Sequence, residues 1–172
     1  MDKVMSVNAG SSSLKFKLYE MPEEKIICKG LADRIGHKDA TFKIVWGNNE
    51  DKKVLSLKDH AEAVALLIKS LIEKKIISSL KEIKAIGHRI VQGGKYFSET
   101  VRFDKKTEER IESLIPLSPL HNKAHLVGFR AFKKALPNVC SSATFDTAFF
   151  QTLAEEDYLF PIPYTLSKKF DI

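Results

Sequence analysis

At 172 residues, the chain is long enough for one large domain, or for one domain and part of another. Its 44% hydrophobic and 29% charged residues are ordinary for a globular protein, no apolar run nears the roughly 18 residues of a membrane helix, and the N-terminus lacks the basic stretch and apolar core of a signal peptide. The net charge of +6 admits an anionic partner, but the lysines are scattered and the arginines are few (Arg34, Arg89, Arg102, Arg110 and Arg130), so solvated lysine faces or a small anionic substrate are expected, not nucleic acid or a membrane.

Residues 3–8 read as a short buried strand. In 14–20, Leu14, Phe16 and Leu18 alternate with Lys15, Lys17 and Tyr19, the two-residue period of a half-buried strand. Strands are expected again over 25–34 and 41–46, followed by a turn at 47–53, "GNNEDKK". Residues 57–76 carry Ala61, Val64, Ala65, Ile68, Leu71 and Ile72 at helical spacing. A strand over 82–91 ends in "QGG". A helix over 104–115 is broken by Pro116 and Pro119. The next helix, 122–136, has Asn122 as its expected N-cap and is closed by Pro137. The last strand is 139–145, and 158–172 is aromatic and punctuated by prolines. Antiparallel strands followed by alternating helix and strand imply a mixed α/β sheet with flanking helices. Cys28 and Cys140 fit no metal spacing and read as reduced thiols of a cytoplasmic protein.

The connection Asn8-Ala9-Gly10-Ser11-Ser12-Ser13 is richer in polar groups than a hairpin needs. Gly10 can take a positive φ and let a ligand approach the backbone. The amides and hydroxyls of Ser11, Ser12 and Ser13 offer a concave donor set for phosphate, with Lys15 on the side of Ser13. Asn8 ends the first strand, where it could hold a metal-bound water. A polar hairpin with surface serines accounts for the same residues. The pattern is not a Walker loop, because a strand follows it rather than a helix.

Arg89 sits in an apolar strand and needs an anionic partner, either a structural carboxylate or a substrate carboxylate. His121 precedes a helix N-terminus, where it could meet an anion or simply pack. Asp146 ends a strand, where ligands of open α/β sheets gather, although capping the next turn would also explain it.

Taken together, "VNAGSSSLKF", "GHRIVQGG", "PLHNKAHLVGFRAF", "LPNV", "FDTAFFQTL" and "YLFPIPY" resemble the acetate kinase family, in that family's order along the whole chain. The resemblance implies a ribonuclease H-like ATPase domain of the sugar kinase, heat-shock chaperone and actin superfold. It implies transfer of phosphate between ATP and acetate or propionate, with ADP and an acyl phosphate as the other pair and Mg2+ as cofactor; the apolar side chains of 158–172, from Tyr158 to Phe170, separately lead to the expectation of a homodimer through that end. The family's phosphate loop falls on Asn8, Ser11, Ser12, Ser13 and Lys15, with Asn8 toward the metal. Its substrate-binding arginine falls on Arg89, and its acyl pocket includes Val91 and Leu120. The transition-state histidine falls on His121 and the essential aspartate on Asp146. A carboxylate nucleophile is already ionised at neutral pH, so Asp146 is better suited to Mg2+ or its waters than to proton abstraction.

The chain departs from the family's usual pattern at Gln92, Lys95, Lys123 and Phe150, and carries Ser141, Ser142 and Thr144 where small apolar residues are commoner. Family members are more than twice this long. The resemblance therefore implies an N-terminal kinase domain over 1–150 and the start of a second domain over 151–172. The alternative is a non-catalytic anion-binding module of the same fold.

Overall fold

The computed structural model describes residues 1–149 and 152–170. Among them, eight strands form one sheet: β1 (Lys3–Ala9), β2 (Ser13–Glu20), β3 (Lys25–Asp33), β4 (Ala40–Trp46), β5 (Asn49–Leu55), β6 (Ile83–Ile90), β7 (Val101–Arg102) and β8 (Cys140–Phe145). Their spatial order is β5-β4-β3-β2-β1-β6-β8-β7. The first five strands are an antiparallel meander. β6 then lies parallel to β1, and β8 parallel to β6. The carboxyl ends of β1, β6 and β8 consequently share one edge. This is the mixed α/β sheet with flanking helices that the sequence implies.

Three longer helices are α1 (His60–Glu73), α2 (Lys105–Ser113) and α3 (Asn122–Ala135). Asp59 caps α1 by accepting from the Glu62 N–H, and Asp104 caps α2 by accepting from the Thr107 N–H. α3 packs on β1, β6 and α1, while α1 also touches β2. Beneath them lie Met5, Val7, Ala9, Leu14, Phe16 and Leu18, all buried. A second, smaller core surrounds Ile90, Phe129, Ala143 and Phe145. Its rings stack, Phe103 on Phe129 at 3.6 Å and Phe97 on Phe145 at 4.1 Å between centroids. Such pairs add about 0.5–1.5 kcal/mol beyond the area they bury. This core supports the ends of β6 and β8.

Three expectations need correction. Residues 47–53 are not a long turn: the chain reverses at Gly47 and Asn48, Gly47 takes φ +51°, and β5 pairs with β4 from Trp46↔Asn49 to Ala40↔Leu55. Asn122 does not cap α3. It is the first helical residue, fully buried, with His121 at the cap position making no side-chain capping bond. Gly10 is not at positive φ; a Cβ there would stand 2.8 Å from the Ser13 Oγ, a hydroxyl that would have to turn aside. Downstream, a short helix α4 (Glu155–Tyr158) leads into the proline-punctuated segment, whose described residues form α5 (Tyr164–Phe170), exposed except at Ser167. Phe150, named above as a departure, lies outside the described residues. Among the described residues, no helix is long and apolar enough to cross a membrane.

Candidate functional site

Because β1, β6 and β8 are parallel, the turn after β1, the exit of β6 and the exit of β8 lie side by side. Alternation puts Ser6 and Asn8 of β1, Lys15 and Lys17 of β2, and Arg89 of β6 on the face opposite the helices. There they line a groove of about 480 Å3 together with Lys29 and Lys43. Asn8 is paired in register with Lys15. Three of the residues singled out by sequence, Asn8, Lys15 and Arg89, therefore share one basic groove. Ser11 and Ser12 are exposed and Ser13 is half-buried at the first residue of β2.

The turn is closed by two backbone bonds, Gly10 N–H to the Ser13 carbonyl at 2.8 Å and Ile35 N–H to the Ser12 carbonyl at 2.8 Å. Two further bonds come from histidines that the sequence reading did not single out. His60 Nε2 lies 2.8 Å from the Gly10 carbonyl oxygen, and His125 Nδ1 lies 2.8 Å from that of Ala9. Both rings are buried. The closeness of α3 that this requires depends on Gly128, where a Cβ would come within 2.4 Å of the Ala9 Cβ.

Arg89 is exposed rather than buried, and its anionic partner is Asp146. Nε donates to Oδ1 at 2.9 Å and Nη2 to Oδ2 at 2.6 Å. The carboxylate raises the guanidinium pKa further, through these bonds. The pair uses the Nε–Nη2 side of the fork. Of the five N–H donors of a guanidinium, those of Nη1 and the second one of Nη2 remain, a second bidentate edge. Two residues expected to act on a ligand are thus bonded to each other, and among the described residues nothing bonds the second edge of Arg89, which can meet the groove.

The exit of β6 is tied to the start of α3. Asn122 Oδ1 accepts from the Gln92 N–H at 3.2 Å, and Asn122 Nδ2 donates to the Gln92 carbonyl at 2.9 Å. Val91 precedes Gln92 and is half-buried, and Leu120 stands two residues before Asn122 and is exposed. The Gln92 side chain accepts from the Gly94 N–H at 2.8 Å, so it orders the glycine turn. Gly94 sits at φ +51°. His121 is exposed, with Nδ1 3.5 Å from the Ser118 Oγ and its ring 6.4 Å from that of His125. The pKa of His125 is lowered, mostly by burial, and it also feels the charges of Arg89, His121 and Asp146. In distance, His121 stands beside His125, and Arg89 beside Asp146. Among the described residues, no three His, Cys, Asp or Glu side chains converge as metal ligands.

The family model described as the acetokinase family matches residues 3–172. The acetate kinase of Anoxybacillus flavithermus is 49% identical over all 172 residues, which span 43% of its length. A crystal structure of Porphyromonas gingivalis acetate kinase superposes with a TM-score of 0.92 at 37% identity, covering 98% of this chain and 43% of that one. A propionate kinase structure from Francisella tularensis gives 0.91 at 35% identity, covering 100% of this chain and 44% of that one.

Proposed function

The chain belongs to the acetokinase family, and on that premise we propose that it supplies the phosphate turn and the carboxylate-binding side of a phosphotransferase acting between ATP and acetate or propionate. The observation that carries the proposal is the shared groove: Asn8 and Lys15, on the strands that flank the turn, face the same side of the sheet as Arg89, whose second fork edge has no partner among the described residues.

In this reading Ser11, Ser12, Ser13 and Lys15 bind nucleotide phosphate, and Arg89 aligns the substrate carboxylate or acyl phosphate with its free edge. Val91 and Leu120 flank the acyl group. His121 donates to an equatorial oxygen of the transferring phosphoryl group, where charge is spread in the transition state. The carboxylate nucleophile is ionised at neutral pH, so no side chain need take a proton from it. Asp146 fixes Arg89 through the side-on pair. A magnesium ion, if bound, would neutralise phosphate charge. It would draw on Asn8, Asp146, phosphate oxygens and water, since that ion commonly uses one or two carboxylates with substrate phosphates. Residues 1–150 would be one kinase domain and 151–172 the start of another, a division supported by the lone burial of Ser167 among residues 152–170. The protein would work in the cytoplasm as a homodimer, and the exposed Tyr158, Phe160, Tyr164 and Phe170 support an interface at that end.

The second reading is a non-catalytic anion-binding module, favoured by the occupation of Arg89 by Asp146 and by the 43% coverage of the curated relative. Acyl hydroxamate formation from acetate or propionate and ATP separates the two. The assay is run on the chain alone and with the C-terminal part of a family relative added. Hydroxamate in the mixture supports the phosphotransferase. Phosphate binding without hydroxamate under either condition supports the module.

A further inference from the structure

Resting on the reading of residues 8–15 as a phosphate turn, we propose that His60 and His125 are positioning residues that hold consecutive carbonyls of the turn toward the helices and so present the Ser11 N–H to the anion.

A carbonyl oxygen can only accept, so each imidazole must donate: His60 through Nε2 to Gly10, and His125 through Nδ1 to Ala9. Burial lowers the His125 pKa, which favours the neutral ring, and the bond to the Ala9 oxygen places a proton on Nδ1. Its Nε2 is buried with no hydrogen-bond partner among the described residues. The Gly10–Ser11 peptide is trans and planar. In a trans peptide the carbonyl and the following N–H point in opposite directions. With the Gly10 oxygen held by His60 at the start of α1, the Ser11 N–H must point away from the helices, to the side where Ser11 is exposed. The Gly10 N–H itself is committed to the Ser13 carbonyl.

Without the two imidazoles, the Ala9 and Gly10 oxygens would lose these two donors. The peptide could then rotate and turn an oxygen, rather than an N–H, toward a phosphate, which repels it. The donors come from different helices, 50 and 116 residues from their acceptors, and those helices pack on one another. The clamp is therefore a tertiary device that hairpin chemistry alone does not supply.

The test uses the 15N-labelled chain and inorganic pyrophosphate. Gln places an N–H near the position of His Nε2, and Asn near that of Nδ1, so His60→Gln and His125→Asn keep the donors while His60→Leu and His125→Leu remove them. Long-range 1H–15N spectra should show the wild-type proton on Nε2 of His60 and Nδ1 of His125. Pyrophosphate should shift the Ser11 amide. The leucine variants should bind it at least about tenfold more weakly, and the donor-keeping variants within about threefold of wild type. Either ring in the opposite tautomer, or leucine variants binding as tightly as wild type, overturns the clamp. The tautomers are read on the wild type, so a variant that misfolds does not remove the test. If the tautomers are as expected but pyrophosphate shifts no amide of residues 8–15, the phosphate-turn reading falls and takes with it the purpose assigned to the clamp.

Discussion

Gly128→Ala is a sharp perturbation because its two effects oppose. In an unobstructed helix interior, alanine is favoured over glycine by about 1 kcal/mol. At position 128 the new Cβ would lie 2.4 Å from the Ala9 Cβ, against about 3.5–4.0 Å for carbon atoms at rest. One of the atoms belongs to a strand and the other to a helix, so neither can swing aside as a flexible side chain would. α3 must retreat from β1, and the His125 bond to the Ala9 carbonyl stretches with it. Overpacking costs about 1–3 kcal/mol, and so close an approach belongs at or beyond the upper end of that range. The net loss should be about 2 kcal/mol, or roughly 4–8 °C in Tm for a domain of this size. Thermal melting by circular dichroism measures it. A variant melting at or above wild type would refute the tight α3–β1 packing and the explanation of why residue 128 is glycine.

The Glu82 carboxyl is held down to about 2 by Lys3 and by the Ser79 and Ser78 N–H groups, from a usual value of 4.5. It contributes stability above pH 4.5 that is lost as pH falls toward 2, because the unfolded chain takes up the proton first. Glu82→Gln should flatten the urea midpoint against pH in that window, and an unchanged slope would count against the pair. Burial pushes the Cys28 thiol up to about 12, whereas Cys140 is exposed, so an aromatic disulfide reagent should titrate one thiol in the native chain and the second only on unfolding. Two fast thiols would contradict the packing around Cys28. Ending the chain at Thr152 removes Tyr158, Phe160, Tyr164 and Phe170 and should abolish self-association measured by light scattering at tens of micromolar; no change on truncation would exclude this end as the interface.

The antiparallel meander was legible because its side chains alternate: the inward Leu14, Phe16 and Leu18 are the buried ones in β2. β5 was not, because Asn49–Leu55 is an edge strand with no fully buried residue, held by backbone pairing to β4 that leaves no hydrophobic mark in the sequence. Asn122 looked like a cap because asparagine favours that position. Its amide goes instead to the backbone of Gln92, 30 residues away, a preference that no local pattern encodes. The candidate site shows the same division. The groove residues Asn8, Lys15 and Arg89 followed from strand phase and resemblance. The Arg89–Asp146 pair spans 57 residues and joins side chains that the sequence presents as separate. His125 left a faint signal, one helical turn after His121, whereas His60 left none, since its acceptor is 50 residues earlier.

The most direct test of the central claim is kcat/KM for acyl hydroxamate formation from acetate and ATP by the intact enzyme or a reconstituted pair, comparing wild type with Arg89→Ala. The Arg89–Asp146 pair is about half exposed, with side-chain exposures of 50% and 40%, so its removal should cost no more than about 1 kcal/mol of stability. The fold should survive, and melting of the same samples verifies that. If Arg89 aligns the carboxylate, kcat/KM should fall on the order of 10² or more, the scale expected when a charge-assisted hydrogen bond to the transition state is removed. Turnover near wild type in a folded Arg89→Ala enzyme would contradict the assignment of Arg89 to the substrate.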